Sequence, residues 1–414
     1  MQVRPSLVRG HGRTLRPVVD RTVRTVLQRG FRTVLGPFLQ HLPTRRHAVV
    51  YGWPDDEGNA VETVQALGRR YRGTVYWLLT DVTYPGPYYA AQDLAETHRI
   101  VRVRKTSLRA HLLALTAEAT FYTHGLFNAV APADSRLVVN LWHGDGPKLA
   151  KDTHLFRSTV VVSGTALWGS QRAQRFGVPP GNVAVVGNPR NDQLTVGSRS
   201  EVLRRLGLDP DRRMILWLPT FRTGAADHGR VWSDAGNLSG RAEVAELVEA
   251  LSRAAGDHAI QLVVKPHPMD ADSYAAFDID VLRHDRLLTA GVPFYALLGA
   301  ADAIISDVSS VWVDYLTLDR PVGFYIPDLE ALQSGRGLNV EDLASLLPGP
   351  RIESARDAVR FVEDVATRPD ELRPSRHPGS ARIGVVTGER VADRLLDWLD
   401  DFQRARHRDA LFTR

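Results

Sequence analysis

RLVVNLWHG, residues 136–144, is an apolar run that ends abruptly at a histidine followed by a glycine. Similar apolar runs recur from about residue 47 onward, and amphipathic helix patterns separate them. This alternation predicts an α/β protein with parallel sheets covered by helices. Ligands of such folds bind outside the carboxyl ends of the strands, so polar residues that directly follow a strand are the candidates for function.

The alternation occurs in two sets, which predicts two doubly wound sheets in tandem. Strands of the first set are predicted over 47–52, 74–79, 100–104, 119–122, 136–142, 159–163 and 183–186. A polar stretch at about 193–211 follows, and the second set is predicted over 213–218, 260–265, 303–306 and 322–325. Helices are predicted over 58–70, 108–117, 166–176, 241–255, 293–298, 311–318, 355–366 and 386–407. The predicted divisions are 1–46, 47–195, 196–380 and 381–414, of which the last is a helical segment that could pack back on the first domain.

The amino-acid composition excludes several classes of chemistry and of binding partner. The chain has 414 residues and no cysteine, so disulfides and thiolate chemistry are excluded. Residues 1–46 contain ten arginines and one acidic residue, Asp20, so they carry +9 and the remainder carries −4 of the net +5. Because the body of the chain is mildly acidic, nucleic acid is not predicted as a partner. No phosphate-binding loop of the GxxxxGK[ST] type and no HExxH motif occurs, and we predict no metal site.

The basic segment 1–46 places valines, leucines and a phenylalanine at roughly helical spacing between its arginines. It lacks the uninterrupted apolar core of a signal peptide, and no stretch approaches the ~18 apolar residues of a membrane-spanning helix. We predict an amphipathic helix that lies on an anionic membrane surface. The alternatives are a disordered tail or docked helix, and an RNA-binding or targeting arm.

The first candidate cluster follows the predicted strand 136–142. His143 stands at the strand end, where it could take a proton from a hydroxyl near neutral pH. Gly144 lets the backbone approach a ligand closely, and Lys148 adds a cation. We predict that His143 is catalytic and that the other two bind substrate. The alternative is a histidine paired with a backbone carbonyl beside an ordinary glycine turn.

The second cluster follows the predicted strand 260–265. His267 lies between two prolines, of which Pro268 favours extended geometry at His267, so the ring is positioned before a ligand binds. A rigid histidine close to Lys265 suits a phosphate or a leaving group. We predict that His267 is catalytic and that Lys265 binds substrate. The alternative is a turn that merely uses two prolines.

The third cluster stands between the predicted strand 303–306 and the predicted helix 311–318. Asp307, Ser309 and Ser310 offer polar side chains and free backbone N–H groups at the positive end of the helix dipole, which favours phosphate binding. The alternative is plain N-capping of that helix.

Two weaker candidates complete the set. Thr220 and Arg222 follow the strand 213–218, and the arginine could grip a phosphate with two hydrogen bonds. Arg190 and Asp192 follow the last strand of the first half, near the expected hinge between domains. The alternative for this second pair is a turn with a helix cap.

In this order, the clusters resemble the CDP-glycerol glycerophosphotransferase family of teichoic acid and capsule polymer synthesis. The resemblance covers about 140–330. The matching segments are Trp142-His143-Gly144, Pro189-Arg190-Asn191-Asp192, Pro219-Thr220-Phe221-Arg222, His267-Pro268, Asp307-Val308-Ser309-Ser310, Asp314-Tyr315 and Phe324-Tyr325-Ile326-Pro327-Asp328-Leu329-Glu330. The chain departs from the family pattern after Gly144, where Asp145-Gly146-Pro147 replaces a frequent Thr-Pro-Leu.

The resemblance implies a GT-B architecture, in which two Rossmann-like domains enclose the active cleft. It implies an acceptor domain over 47–195, a domain for the CDP-linked donor over 196–380, and peripheral attachment to the cytoplasmic face of the membrane. The implied partners are a CDP-linked polyol donor and a lipid-linked or polymeric acceptor, with no cofactor.

The reaction implied by the resemblance is attack of an acceptor hydroxyl on the phosphorus that bears the polyol, with release of CMP. His143 would be the base, while His267, Arg222 and the two serines would hold the donor phosphates. Positioning and electrostatics suffice for such transfer. The alternatives are a GT-B glycosyltransferase or epimerase that uses a nucleotide sugar, and a non-catalytic adaptor at the membrane surface.

Overall fold

The computed structural model describes residues 42–125, 136–149, 157–219, 242–266, 274, 277, 279–330 and 337–413. These residues form two parallel sheets with helices around them, which confirms the predicted α/β class. The predicted membrane-binding segment falls almost entirely outside the described residues. Within the described ranges, no helix is both long and apolar enough to cross a membrane.

The first sheet has seven strands in the order β3-β2-β1-β4-β5-β6-β7, and every neighbouring pair is parallel. Its strands are β1 (Arg45–Tyr51), β2 (Thr74–Leu79), β3 (Ile100–Arg104), β4 (Ala117–Tyr122), β5 (Leu137–Asn140), β6 (Val160–Ser163) and β7 (Val183–Val185). Because the first strand begins at Arg45, the last two residues of the segment predicted as a basic leader belong to the sheet.

Four α-helices accompany this sheet in the described part of the chain, namely α1 (Gly58–Arg70), α2 (Ala91–Glu96), α3 (Leu108–Thr116) and α4 (Ala166–Phe176). Three of them begin at a side-chain cap, in which Glu57, Ser107 or Thr165 accepts a hydrogen bond from a backbone N–H of the first turn. Helix α4 ends at Gly177, whose φ of 63° is the left-handed conformation that glycine adopts easily.

The second sheet has five parallel strands in the order β10-β9-β8-β11-β12. They are β8 (Met214–Trp217), β9 (Gln261–Val264), β10 (Asp280–Val281), β11 (Ala303–Ser306) and β12 (Val322–Phe324). The α-helices of this half are α5 (Arg199–Arg205), α6 (Ala242–Asp257), α7 (His284–Ala290), α8 (Phe294–Ala300), α9 (Val311–Tyr315), α10 (Ala355–Thr367) and α11 (Pro378–Ile383).

The last helix, α12 (Val391–Arg404), returns to the first sheet. Its buried apolar side chains join the core between that sheet and α1, and they are Ala392, Leu395, Leu396, Leu399 and Phe402. Arg70 at the end of α1 donates to the Asp393 carbonyl (2.8 Å) and to the Asp397 carboxylate (2.6 Å). The chain therefore crosses back after completing the second sheet.

Three local predictions need correction. Strand β5 ends at Asn140 rather than at residue 142, because the Asn140 side chain accepts the hydrogen bond of the Trp142 N–H and turns the chain. The polar stretch near 193–211 contains helix α5, which Ser198 caps. The helix predicted over 311–318 is α-helical only to Tyr315 and continues as a 3-10 turn, so its dipole is shorter than predicted.

Candidate active site

The turn after β5 directs His143 into the cleft between the two sheets. Trp142 has a φ of 56°, an unusual value for a residue with a side chain. Two hydrogen bonds hold this conformation, one from the Trp142 N–H to the Asn140 side chain (2.9 Å) and one from the Asn59 amide to the Trp142 carbonyl (3.1 Å). The backbone strain is thus held in place directly beside the candidate base.

His143 is exposed to the water of the cleft, yet the cleft walls surround its ring closely. This enclosure lowers the pKa of His143 to about 3, and the neighbouring His124, Arg190 and Arg172 act in the same direction. A hydrogen bond to the Thr123 backbone opposes them. The imidazole is therefore neutral at pH 7 and has one nitrogen available as a proton acceptor.

An open pocket of about 270 Å³ adjoins His143 and lies between the two halves of the molecule. One wall comes from the turn after β5 and from α4, and the other comes from the turn after β11. The pocket-lining residues that the sequence predicted are His143, Gly144, Lys148, Ser309 and Ser310. The structure thus brings the first and third predicted clusters together.

The two glycines after His143 allow the halves to touch. A Cβ placed on Gly144, whose φ is 129°, would lie 2.7 Å from the Ser310 hydroxyl oxygen. A Cβ on Gly146 would lie 3.1 Å from the Ser310 Cα. The first distance is shorter than real Cβ contacts, and the second is tighter than most of them, so a side chain at Gly144 would displace the serine turn and one at Gly146 would crowd it.

Asp145 fixes the turn after β5 through buried hydrogen bonds. Its buried carboxylate accepts hydrogen bonds from the Ser163 hydroxyl (2.9 Å), from the Gly164 N–H (2.5 Å) and from the Arg172 guanidinium. The ion pair with Arg172 is almost fully buried. The departure from the Thr-Pro-Leu pattern therefore has a structural role, since Asp145 ties the turn to β6 and α4.

Asn339 is a pocket residue that sequence analysis missed. Its amide donates to the carbonyls of Gly146 (2.8 Å) and Lys148 (3.3 Å), and its side-chain oxygen accepts from the Trp168 indole (2.7 Å). The backbone N–H of Asn339 donates to the Pro147 carbonyl (2.8 Å). No predicted strand precedes this asparagine, so the strand-end criterion could not find it.

Arg190 lies beneath the cleft and is buried. Its guanidinium donates twice to Asp314 Oδ2 (3.1 and 2.5 Å) and once to the His143 carbonyl (2.9 Å). Asn188 (2.7 Å) and the Tyr295 hydroxyl (2.6 Å) also donate to the Asp314 carboxylate. Burial by itself would lower the pKa of Arg190, but Asp314 raises it, so the arginine stays charged. Arg190, which the sequence predicted to bind substrate, thus has its guanidinium engaged by Asp314 and by the His143 backbone.

Asp192, which the sequence predicted to bind substrate, caps a helix in this structure. Its two carboxylate oxygens accept the N–H groups of Val391 (2.7 Å) and Ala392 (2.9 Å) at the start of α12. This is the helix cap that the alternative interpretation named, although the helix belongs to a distant part of the sequence. Asp307 is likewise buried, and its carboxylate accepts the Ser309 N–H (2.9 Å), which shapes the serine turn.

The second predicted cluster can be followed only in part, because His267, Thr220 and Arg222 lie outside the described residues. Lys265 is described, and its ammonium lies 4.9 Å from the centre of the Phe294 ring. Burial lowers its pKa, whereas Asp56 of the first half raises it. Among the described residues, no group of three His, Asp or Glu side chains has an arrangement that could hold a metal ion.

The family of CDP-Glycerol:Poly(glycerophosphate) glycerophosphotransferases matches residues 74–400, which is most of the chain. The chain belongs to this family. The resemblance inferred from the short motifs is therefore confirmed, and the match extends well beyond the 140–330 region that those motifs cover.

Several proteins of known function or structure are similar to this glycerophosphotransferase-family chain. A teichoic acid poly(glycerol phosphate) polymerase of Bacillus spizizenii is 25% identical over 185 residues, which are 42% of this chain and 43% of that protein. A teichoic acid ribitol-phosphate primase of the same species is 31% identical over 154 residues, 37% of this chain and 35% of that one. The chain thus spans less than half the length of these relatives.

A variant of the wall teichoic acid polymerase TagF has a similar fold, with a TM-score of 0.68 at 14% identity. The superposition covers 94% of this chain and 98% of that one. It confirms the predicted GT-B arrangement. Within this arrangement, three family motifs meet directly, because the Arg190 side chain links the His143 carbonyl to the Asp314 carboxylate.

Proposed function

We propose that this chain transfers a polyol phosphate, most simply glycerol phosphate, from a CDP-activated donor to a hydroxyl of a growing or lipid-linked polymer. The observation that carries the proposal is the neutral His143 imidazole at the edge of a pocket between the two sheets, opposite Ser309 and Ser310. Membership of the glycerophosphotransferase family supports the donor, and the polymerase and primase relatives support the acceptor.

In this reaction, a bond forms between the acceptor oxygen and the phosphorus that bears the polyol. The bond between that phosphorus and the oxygen of CMP breaks, and His143 receives the hydroxyl proton. A neutral imidazole with a low pKa is a weak base in the empty cleft. The negative charge of a bound diphosphate raises the pKa of a nearby histidine, so donor binding itself strengthens the base.

The pocket wall offers cations and hydrogen-bond donors for the donor phosphates. Lys148 and Arg175 line it, together with the two serine hydroxyls. Arg172 also lines it, but Asp145 neutralises that charge. Transfer of a phosphoryl group depends mainly on such electrostatic positioning. His267 and Arg222 remain predicted contributors on the sequence argument alone.

We expect incubation with CDP-glycerol or CDP-ribitol and a soluble polyol-phosphate or glycan acceptor to release CMP, and UDP-sugars to remain unused. The products distinguish the reaction types, because a glycosyltransferase breaks the sugar carbon–oxygen bond and leaves a nucleoside diphosphate. Chromatography of the nucleotides, with mass spectrometry of the acceptor, is the measurement. Release of CDP or UDP, with a sugar but no phosphate added to the acceptor, would assign the nucleotide-sugar alternative instead.

A second part of the proposal concerns attachment to the cytoplasmic face of an anionic membrane through residues 1–46. The support is their charge of +9, of which residues 1–41 carry +7, and their helical apolar spacing. Deletion of residues 1–41, which leaves β1 whole, should reduce sedimentation with anionic liposomes at low salt while the truncated protein stays active on a soluble acceptor. Neutral liposomes are the control, and equal retention of both proteins on anionic liposomes would remove the membrane role from this segment.

A further inference from the structure

His124 is a cleft histidine that the reaction proposed above leaves unused. It follows β4, which is the neighbour of β5 in the sheet, and it is exposed to the cleft. Parallel neighbours end at the same edge of a sheet, so the residues after β4 and after β5 meet there. The two rings that meet are those of His124 and His143.

The contact between the two rings is a face-to-face stack. Their centroids are 4.5 Å apart, and their planes differ by only 13°. Thr123 links the two histidines, since its hydroxyl lies 2.8 Å from His124 Nδ1 and its backbone is hydrogen-bonded to His143. On the other side, the edge of His124 meets the Trp53 indole at 5.8 Å. Both rings are therefore fixed by protein contacts before any substrate is present.

We propose that His124 is a positioning residue for the reaction proposed above, and that its stacked ring holds His143 in place as a neutral proton acceptor. His124 touches neither donor nor acceptor in this scheme. It covers one face of the His143 ring, and the Trp142 indole also contacts that ring, with the two centroids 4.0 Å apart and the planes tilted by 37°.

The charges around the pair favour this role. Besides His124 itself, the groups that act electrostatically on His143 are Arg190 and Arg172, which come from the segment after β7 and from α4. Those that act on His124 are Arg190 and Lys105. All of them are cations, and together with burial they lower the pKa of His124 to about 4. Neither imidazole is protonated at pH 7, and a stacked pair resists gaining two protons.

The test compares two variants. His124→Ala removes the covering ring and admits water, so the pKa of His143 should rise by about two to three units towards the ordinary histidine value. His124→Phe keeps an aromatic ring of similar shape in the stack, so the pKa of His143 should stay low. Comparison of the two variants thus shows whether the pKa of His143 depends on a stacked ring or on the titratable imidazole of His124.

Nuclear magnetic resonance of ¹³C-labelled histidine rings gives a readout that needs no substrate. The His143 resonance, assigned by its loss in His143→Ala, should not titrate between about pH 5 and 8 in the parent protein or in His124→Phe. It should titrate within that range in His124→Ala. If it stays silent in His124→Ala as well, His124 does not control the protonation of His143, and the proposal is overturned.

Kinetics provide the second readout. With CDP-glycerol as donor, kcat of His124→Ala should fall about tenfold with little change in the donor KM, and the acid limb of its pH profile should move to higher pH. His124→Phe should keep most of the parent kcat. An equal loss in both variants would overturn the stacking role, because a ring would then not suffice. If the parent protein does not use CDP-glycerol, the proposed function fails, whereas the resonance titration still decides the role of His124.

Discussion

His143→Ala is expected to lower turnover at least about 100-fold, because it removes the group that receives the proton of the acceptor hydroxyl. The side chain is exposed to the cleft and takes no part in the buried cores, so the melting temperature should change little. Single-turnover rates with CDP-glycerol, together with thermal unfolding followed by circular dichroism, provide the two measurements. The sequence predicts a comparable loss for His267→Ala.

Two control variants test whether the loss of turnover is specific to a base at position 143. His98→Ala removes another exposed histidine, located after α2 and away from the cleft, and should leave turnover unchanged. His143→Gln keeps a polar side chain but offers no base near neutral pH, so it should be as inactive as the alanine variant. A folded His143→Ala protein with normal turnover would refute the proposed mechanism. Unfolding of that variant would instead show that the histidine is structural.

The sequence predicted the elements that carry long, regular patterns. Helices α1 and α4 occur over the predicted residues, since each has a clear apolar stripe and a side-chain cap. Strand β10 and helices α2, α5, α7 and α11 were missed. The strand has two residues and each of these helices has six or seven, so none is long enough to show a clear period.

The meeting of His143 with the serine turn was predictable, because both follow strands whose carboxyl ends face one cleft. His124 shows the same pattern, a histidine just after a predicted strand, and could have been found by applying the criterion to 119–122 as well. The capping role of Asp192 could not be found in this way. Its hydrogen-bond partners are about 200 residues away, and no local pattern records a contact between such distant segments.

Asp314→Asn is expected to destabilise the protein by about 3–5 kcal/mol, because it leaves the Arg190 charge buried without a compensating carboxylate. Asp314 is only 2% exposed, and its two oxygens accept hydrogen bonds from Arg190, Asn188 and Tyr295. An asparagine replaces one of these oxygens by an NH₂ group, which would face a donor. The midpoint of urea unfolding measures the loss.

The matched control is Glu201→Gln, which also neutralises the acidic partner of an arginine. Its ion pair with Arg205 is 3.1 Å long, and both side chains are about two-fifths exposed (41% and 42%). The loss of stability in Glu201→Gln should stay below about 1 kcal/mol, because water replaces the partner.

Turnover adds a second distinction, since Arg190 also donates a hydrogen bond to the His143 carbonyl (2.9 Å). At a temperature where Asp314→Asn is still folded, its turnover should fall while that of Glu201→Gln does not. If Asp314→Asn loses no more stability and no more turnover than Glu201→Gln, the buried network neither supports the fold nor positions the base.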